Sequence, residues 1–169
     1  MDRYYFKHLR LIVRTMNQEV IHQIVNIMID MENITTLIRA TKQKQSRLFL
    51  IGVLSSEGTV DKTLLIDEVL EKGTEALIDL YRHVPYYDKI VAILEHEEHP
   101  VFALELLKEE LIHHILEEAT FEPFGPLPSL AYIHALEMEV KNLRLLLVGV
   151  DNEFTEEQLR ERMRPVYVS

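Results

Sequence analysis

Pro123-Phe-Gly-Pro-Leu-Pro-Ser-Leu-Ala-Tyr132, running on into Glu137-Met-Glu-Val-Lys-Asn-Leu-Arg-Leu-Leu-Leu-Val-Gly149, is the stretch whose reading decides the fold. Its prolines and Gly125 break the backbone. A helix is then predicted over 128–149, because proline's fixed φ suits a first turn and Ser129 can accept an amide hydrogen bond there. Leu130, Ile133, Leu136, Val140, Leu143 and Leu147 recur at steps of three or four and draw one apolar stripe along that helix. Glu139, Lys141, Asn142 and Arg144 interrupt it with polar groups that a stripe does not require. After Gly149, Thr155 and Gln158 make a capping box, which starts a short acidic helix over 155–164.

Working outward, the same period predicts helices over 3–15, 18–43, 45–53, 61–72, 74–83, 86–96 and 100–120. The second, about 38 Å long at ~1.5 Å per residue, presents Val20, Ile24, Ile27, Met31, Ile34 and Ile38 as its inner face. In the long acidic helix, Leu104, Leu107, Leu111, Ile115 and Ala119 do the same. Arg47-Leu-Phe-Leu-Ile-Gly-Val-Leu54 reads as a short buried helix, with a strand as the alternative. Ser55-Ser-Glu-Gly58 is a loop, and Val84-Pro85 and His99-Pro100 are breaks. Five glycines and six prolines, with abundant leucine, isoleucine, glutamate and lysine, complete an all-α prediction. Asn33-Ile34-x-x-Leu37-Ile38-x-Ala40 also aligns with Asn142-Leu143-x-x-Leu146-Leu147-x-Gly149 at an offset of 109, a faint internal repeat.

Composition narrows the function classes. No cysteine is present, which removes disulfides, thiolate nucleophiles and cysteine-zinc sites. The net charge of −10 disfavours nucleic acid as a partner, since neutralising phosphates needs clustered cations. That charge is uneven: residues 1–50 carry eight Lys or Arg and four Asp or Glu, residues 51–169 ten and twenty-four. The acidic half is a solvated face or a surface complementary to a basic partner. No apolar run is long enough to cross a bilayer as a helix.

Candidate chemistry is thin. Glu19-Val-Ile-His22 and Glu110-Leu-Ile-His113 share the Glu-x-x-His spacing of ferritin-like di-iron bundles, but the further glutamates that such a site needs are not evident. His96-Glu-Glu-His99 lacks the four-residue step of a zinc-protease helix, and His113 and His114 read as exposed or salt-linked side chains. There is no glycine-rich phosphate loop and no nucleophile elbow. Tyr86, Tyr87, Phe121 and Phe124 read as packing at helix junctions, with partner anchoring as the alternative. No catalytic residue, metal ligand or cofactor site is expected.

Three segments carry a family resemblance. Phe124-Gly125-Pro126, the Tyr132-bearing helix and its Glu139-x-x-Asn142-Leu-Arg144 end resemble the last part of the C subunit of bacterial and archaeal V/A-type rotary ATPases, the relative of the eukaryotic d subunit. The closing segment Pro165-Val-Tyr167-Val168 matches as well, although Val150 stands where the family commonly carries a lysine. Asp30-Met-Glu-Asn33-Ile34 with Arg39 resembles the family's mid-chain segment. The resemblance implies the C-terminal half of a protein roughly twice this length, either a truncated form beginning at an added Met1, which is favoured, or a short natural one. It implies antiparallel helical bundles within a pseudo-threefold, funnel-shaped subunit: residues 1–98 as the middle repeat and 99–169 as the C-terminal part, packed as one compact body.

Functionally, the resemblance implies a non-catalytic central-stalk adaptor that couples a rotating shaft to the membrane rotor ring of a proton- or sodium-translocating ATPase. Its partners would be the shaft and ring subunits. It would sit in the cytoplasm, reaching the membrane only through the ring. The family-signature positions are Asn33, Arg39, Phe124, Gly125, Tyr132, Glu139, Asn142 and Arg144. Asn142 could cross-link helices through its amide and Arg144 could pair with a carboxylate; both either hold the fold, the favoured reading, or line a shaft socket. The alternatives are a di-iron carboxylate bundle or a generic helical scaffold that grips a partner helix.

Overall fold

The structure, a computed structural model, describes residues 2–16, 18–119 and 125–165. Among the described residues every regular element is an α-helix, with no strand: α1 (Asp2–Thr15), α2 (Glu19–Lys42), α3 (Arg47–Val53), α4 (Lys62–Lys72), α5 (Ala76–Leu80), α6 (Tyr87–His96), α7 (Pro100–Ala119), α8 (Leu127–Asp151) and α9 (Glu156–Arg162). The expected all-α fold is what the chain adopts. It divides into two compact units, with the boundary after Lys108, inside α7.

In the first unit α2 is the axis. Ile21, Ile24, Val25, Ile27, Ile29, Met31, Ile34, Leu37 and Ile38 are all buried, so the inner face is most of its circumference and not one stripe. A helix apolar on nearly every side is stable only when neighbours close around it. Helices α1, α3 and α4 pack on α2, and α4, α5 and α6 follow in sequence, burying Leu65, Ile66, Leu77, Tyr81 and Ile90. Val20 is only half-buried.

Local chemistry sets the helix starts. Ser46 accepts the Phe49 amide to open α3, and Asp61 accepts those of Thr63 and Leu64 to open α4. The 47–53 segment is therefore a helix, but not a buried one: Leu50 is covered while Leu48, Phe49 and Val53 face outward. The Thr155–Gln158 capping box forms as the sequence predicts. Helix α8 begins at Leu127, earlier than predicted, and Ser129 does not cap it, because Pro126 and Pro128 already hold the first turn in helical φ. In α7 the buried residues are Leu104, Leu107, Glu109, Ile112, His113 and Leu116, so His113 is enclosed where an exposed or salt-linked side chain is expected, while His114 is exposed; Leu111 and Ile115 are half-buried and the side chain of Ala119 lies outside the described residues.

Candidate functional site

Asn33, almost wholly buried on α2, spends its whole amide on one residue. Its Nδ2 donates to the Ser55 carbonyl at 3.1 Å, and its Oδ1 accepts the Ser55 N–H at 2.9 Å. This satisfies both backbone groups of a buried loop residue without a strand or helix to do so. Asp30, one turn earlier, secures the same loop by accepting the Thr59 N–H at 2.8 Å and the Thr59 hydroxyl at 2.7 Å. Its other neighbour is the Tyr86 hydroxyl, which donates at 3.2 Å. From α1, Arg10 donates to Asn26 at 2.7 Å and to the Glu57 carbonyl at 2.6 Å. Gly58 fits only because it lacks a side chain: a Cβ there would lie 2.7 Å from Asp30 Oδ1 and 3.2 Å from Asn33 Nδ2. Burial pushes the Asp30 carboxyl above its usual range, opposed by the bonds from Thr59 and Tyr86. Burial first, and the Asp30 charge second, raise the Tyr86 phenol in turn.

The second unit repeats the device. Asn142 on α8 donates to the Arg164 carbonyl at 3.0 Å and accepts the Arg164 N–H at 2.8 Å. Both asparagines thus grip the residue 22 positions ahead. Every feature between keeps the 109-residue offset. Lys44 and Glu153 turn the chain with positive φ of 52° and 56°. Ser46 and Thr155 then cap the short helices α3 and α9. Ala40 and Gly149 occupy matched positions, and at Gly149 a Cβ would collide with Leu159, so glycine lets α9 lie directly on α8. The faint sequence repeat is a real structural one.

Around the second clamp the carboxylate comes from α7. Glu109, nearly buried, accepts Lys141 Nζ at 2.6 Å and Arg164 Nε at 2.7 Å. Arg164 is therefore tied by both backbone and side chain. His113 and His134 face each other with ring centroids 6.3 Å apart. Burial, and then the charge of His113, hold His134 below the usual histidine range.

Of the family-signature residues, the structure brings none of them into a common site: Asn33 and Asn142 each centre a clamp of their own. Arg39 is on the outer side of α2, paired with Glu105 at 2.5 Å. Gly125 takes a φ of 113° in the exposed turn before α8. Tyr132, Glu139 and Arg144 are exposed on α8, and carboxylate-paired arginines of this unit include Arg160, on Glu156, and Arg164, on Glu109. Phe124 lies outside the described residues, as do Phe121, Tyr167 and Val168. Tyr86 is buried on Asp30 and Tyr87 half-buried. Sequence reasoning missed the clamp acceptors Ser55 and Arg164 and the carboxylate Glu109. The first two were within reach, since each stands at a fixed step beyond a repeated asparagine. Among the described residues no group of three or more histidines and carboxylates is placed to hold a metal ion.

A geometry of clamps and capped helices is what the comparisons with known proteins meet. The sequence model of the ATP synthase (C/AC39) subunit family matches residues 1–162. The chain belongs to this family. It is 40% identical over 140 residues to the C subunit of the V-type sodium ATPase of Enterococcus hirae, covering 82% of this chain and 42% of that one. It is 24% identical to the C subunit of the A-type ATP synthase of Methanosarcina acetivorans, covering 96% of this chain and 46% of that one. A third relative, from Methanocaldococcus jannaschii and of the same description, is 25% identical over 95% of this chain and 42% of its own. The chain thus spans less than half the length of these C/AC39 relatives. No solved structure matches.

Proposed function

We propose that this chain is part of a non-catalytic central-stalk adaptor in a V/A-type, proton- or sodium-translocating ATPase, linking the rotating shaft to the membrane rotor ring. The observation that carries the reading is the family match over residues 1–162. An adaptor needs stiffness and two interfaces and no bond chemistry. Stiffness is supported by close-packed helices, which transmit strain instead of absorbing it, and by the two clamps that lock each short helix to its long one. Charge bias, concentrated beyond residue 50, would steer a basic partner into place while apolar contacts hold it against torque. No described helix is long and apolar enough to cross a membrane, so contact with the bilayer would run through the ring.

Affinity capture at low salt tests the reading. Tagged shaft subunits and tagged rotor ring are offered this chain and, separately, the complete Enterococcus hirae relative. The complete relative is expected to bind both, in a salt-sensitive way, and this chain to bind the shaft more weakly. If the complete relative ignores shaft and ring alike, the adaptor role is wrong.

A further inference from the structure

In the second unit α7 and α8 are joined by two kinds of pair. One is the ion cluster of Glu109 with Lys141 of α8 and with Arg164. One turn further along α7, His113 lies against His134 of α8, with ring centroids 6.3 Å apart and ring planes tilted by 40°. Buried residues near them in the chain are apolar, Ile112 and Leu116 on α7 and Ala131 and Met138 on α8. His113 is buried, and the Nε2 atom of His134 is enclosed with no hydrogen-bond partner among the described residues. Neither clamp uses these two histidines.

A neutral imidazole tolerates such a place. Its single proton can sit on Nδ1, which leaves only a bare lone pair at Nε2. An imidazolium does not, because both nitrogens then carry hydrogen and the enclosed Nε2–H has nothing to donate to. Its charge would also be poorly matched. The titratable and charged groups that act on His134 are His113 and Glu109 from α7 and Glu137 and Lys141 from α8, with Arg164 held behind Glu109. Glu109 already serves two cations, at 2.6 and 2.7 Å. Glu137 is exposed, where water weakens its pull. Burial first and the charge of His113 second accordingly keep His134 below the ordinary histidine value of 6.5.

We propose that the His113–His134 contact is an acid-sensitive latch between α7 and α8, shut while His134 is neutral and loosened when it takes up a proton. The ligand is the proton and the moving part is the helix joint of the second unit. The unfolded chain takes up this proton at a higher pH than the folded one. The latch therefore costs the second unit nothing above 6.5 and destabilises it as pH falls from 6.5 through the folded value. In a torque-bearing adaptor such a joint would make stiffness depend on pH. The latch itself rests on the packing of the second unit and not on the coupling role, so it stands or falls separately from the capture experiment above.

The natural chain is followed from about pH 7.5 to about pH 5.5 by amide exchange, read as protection factors for each helix, and by NMR of the histidine rings. Protection in α8, and in α7 beyond Glu109, should fall severalfold as the His134 ring titrates, with no fall in α2. His134→Gln keeps a polar side chain and cannot titrate, so it should lose most of that fall. His114→Gln, at the exposed position next to His113, is the control and should fall as the natural chain does. Should His134→Gln disturb folding, the natural chain still decides: the loss of α8 protection must track the titration of the His134 ring itself, at a pH below 6.5. Titration of that ring at or above 6.5 overturns the proposal, as does unchanged protection while it titrates. A fall that survives in folded His134→Gln also overturns it, assigning the acid sensitivity to another group. So does a rise of α8 protection in acid, which would mean that the two rings share the added proton as a hydrogen bond.

Discussion

Helices α2 and α8 carry the same device and meet opposite surroundings. Each ends in a left-handed turn, each is followed by a capped short helix, and each grips the chain beyond through an asparagine. Yet α2 is enclosed on most sides and α8 on one. The difference teaches that the clamp is local: it needs an amide, a turn and a cap within one short stretch of chain, and it forms whether or not the long helix is covered. Coverage is a separate matter, decided by which elements are available to pack. Both asparagines are buried, but Asn33 grips the buried Ser55 and Asn142 the half-buried Arg164, so the same mutation should act differently at the two.

The sharpest way to break the comparison is to truncate matched apolar residues. Ile34→Ala should cost ~2–5 kcal/mol, since it opens a cavity in a closed core. Leu143→Ala, its repeat partner, should change stability by less than about 0.5 kcal/mol in this chain. Urea unfolding, with amide exchange to report each unit, measures both; equal costs would mean that α8 is as enclosed as α2.

The clamps come next. Asn33→Ala strands the N–H and carbonyl of the buried Ser55, at a cost of ~3 kcal/mol. Asn142→Ala should cost ~1–2 kcal/mol, because water can reach Arg164 and replace part of what is lost. Reversal of that order would show that the second clamp, not the first, is the firmer.

A smaller effect separates the charges around the two clamps. Glu109→Gln keeps the volume but leaves Lys141 and Arg164 without their carboxylate; because both cations are partly exposed, the loss should be ~1 kcal/mol, read from the urea midpoint. No change at all would make the Asn142 amide the sole restraint on Arg164.

The smallest effect is a pH dependence carried by Asp30 in the first clamp. The folded state holds the Asp30 proton above the ordinary 3.8, chiefly through burial. Protonated Asp30 therefore favours the folded chain fully below 3.8, and that contribution is lost as pH rises through the raised folded value. Asp30→Asn cannot titrate. Its stability relative to the natural chain should rise across that window and level off above it, as a series of unfolding curves from acid upward would show. A falling difference would mean that the Thr59 and Tyr86 bonds outweigh burial.

The helices were written in the sequence because their signals are local. Apolar residues at steps of three and four, Thr155 with Gln158, and paired prolines before α8 act within a turn or two of chain. So was the repeat, once Asn33 and Asn142 were aligned, although its acceptors Ser55 and Arg164 were not recognised, since backbone groups leave no side-chain signature. Burial was the part that misled. Arg47–Leu54 looked like core and lies largely outside; the α8 stripe has the spacing of a core face and is exposed; α2 looked one-sided and is enclosed. Asp30 and Glu109 gave no sign of which residues would close around them. Spacing fixes which side chains share a face of a helix, but what that face touches depends on elements distant in the chain, and only the tertiary structure decides it.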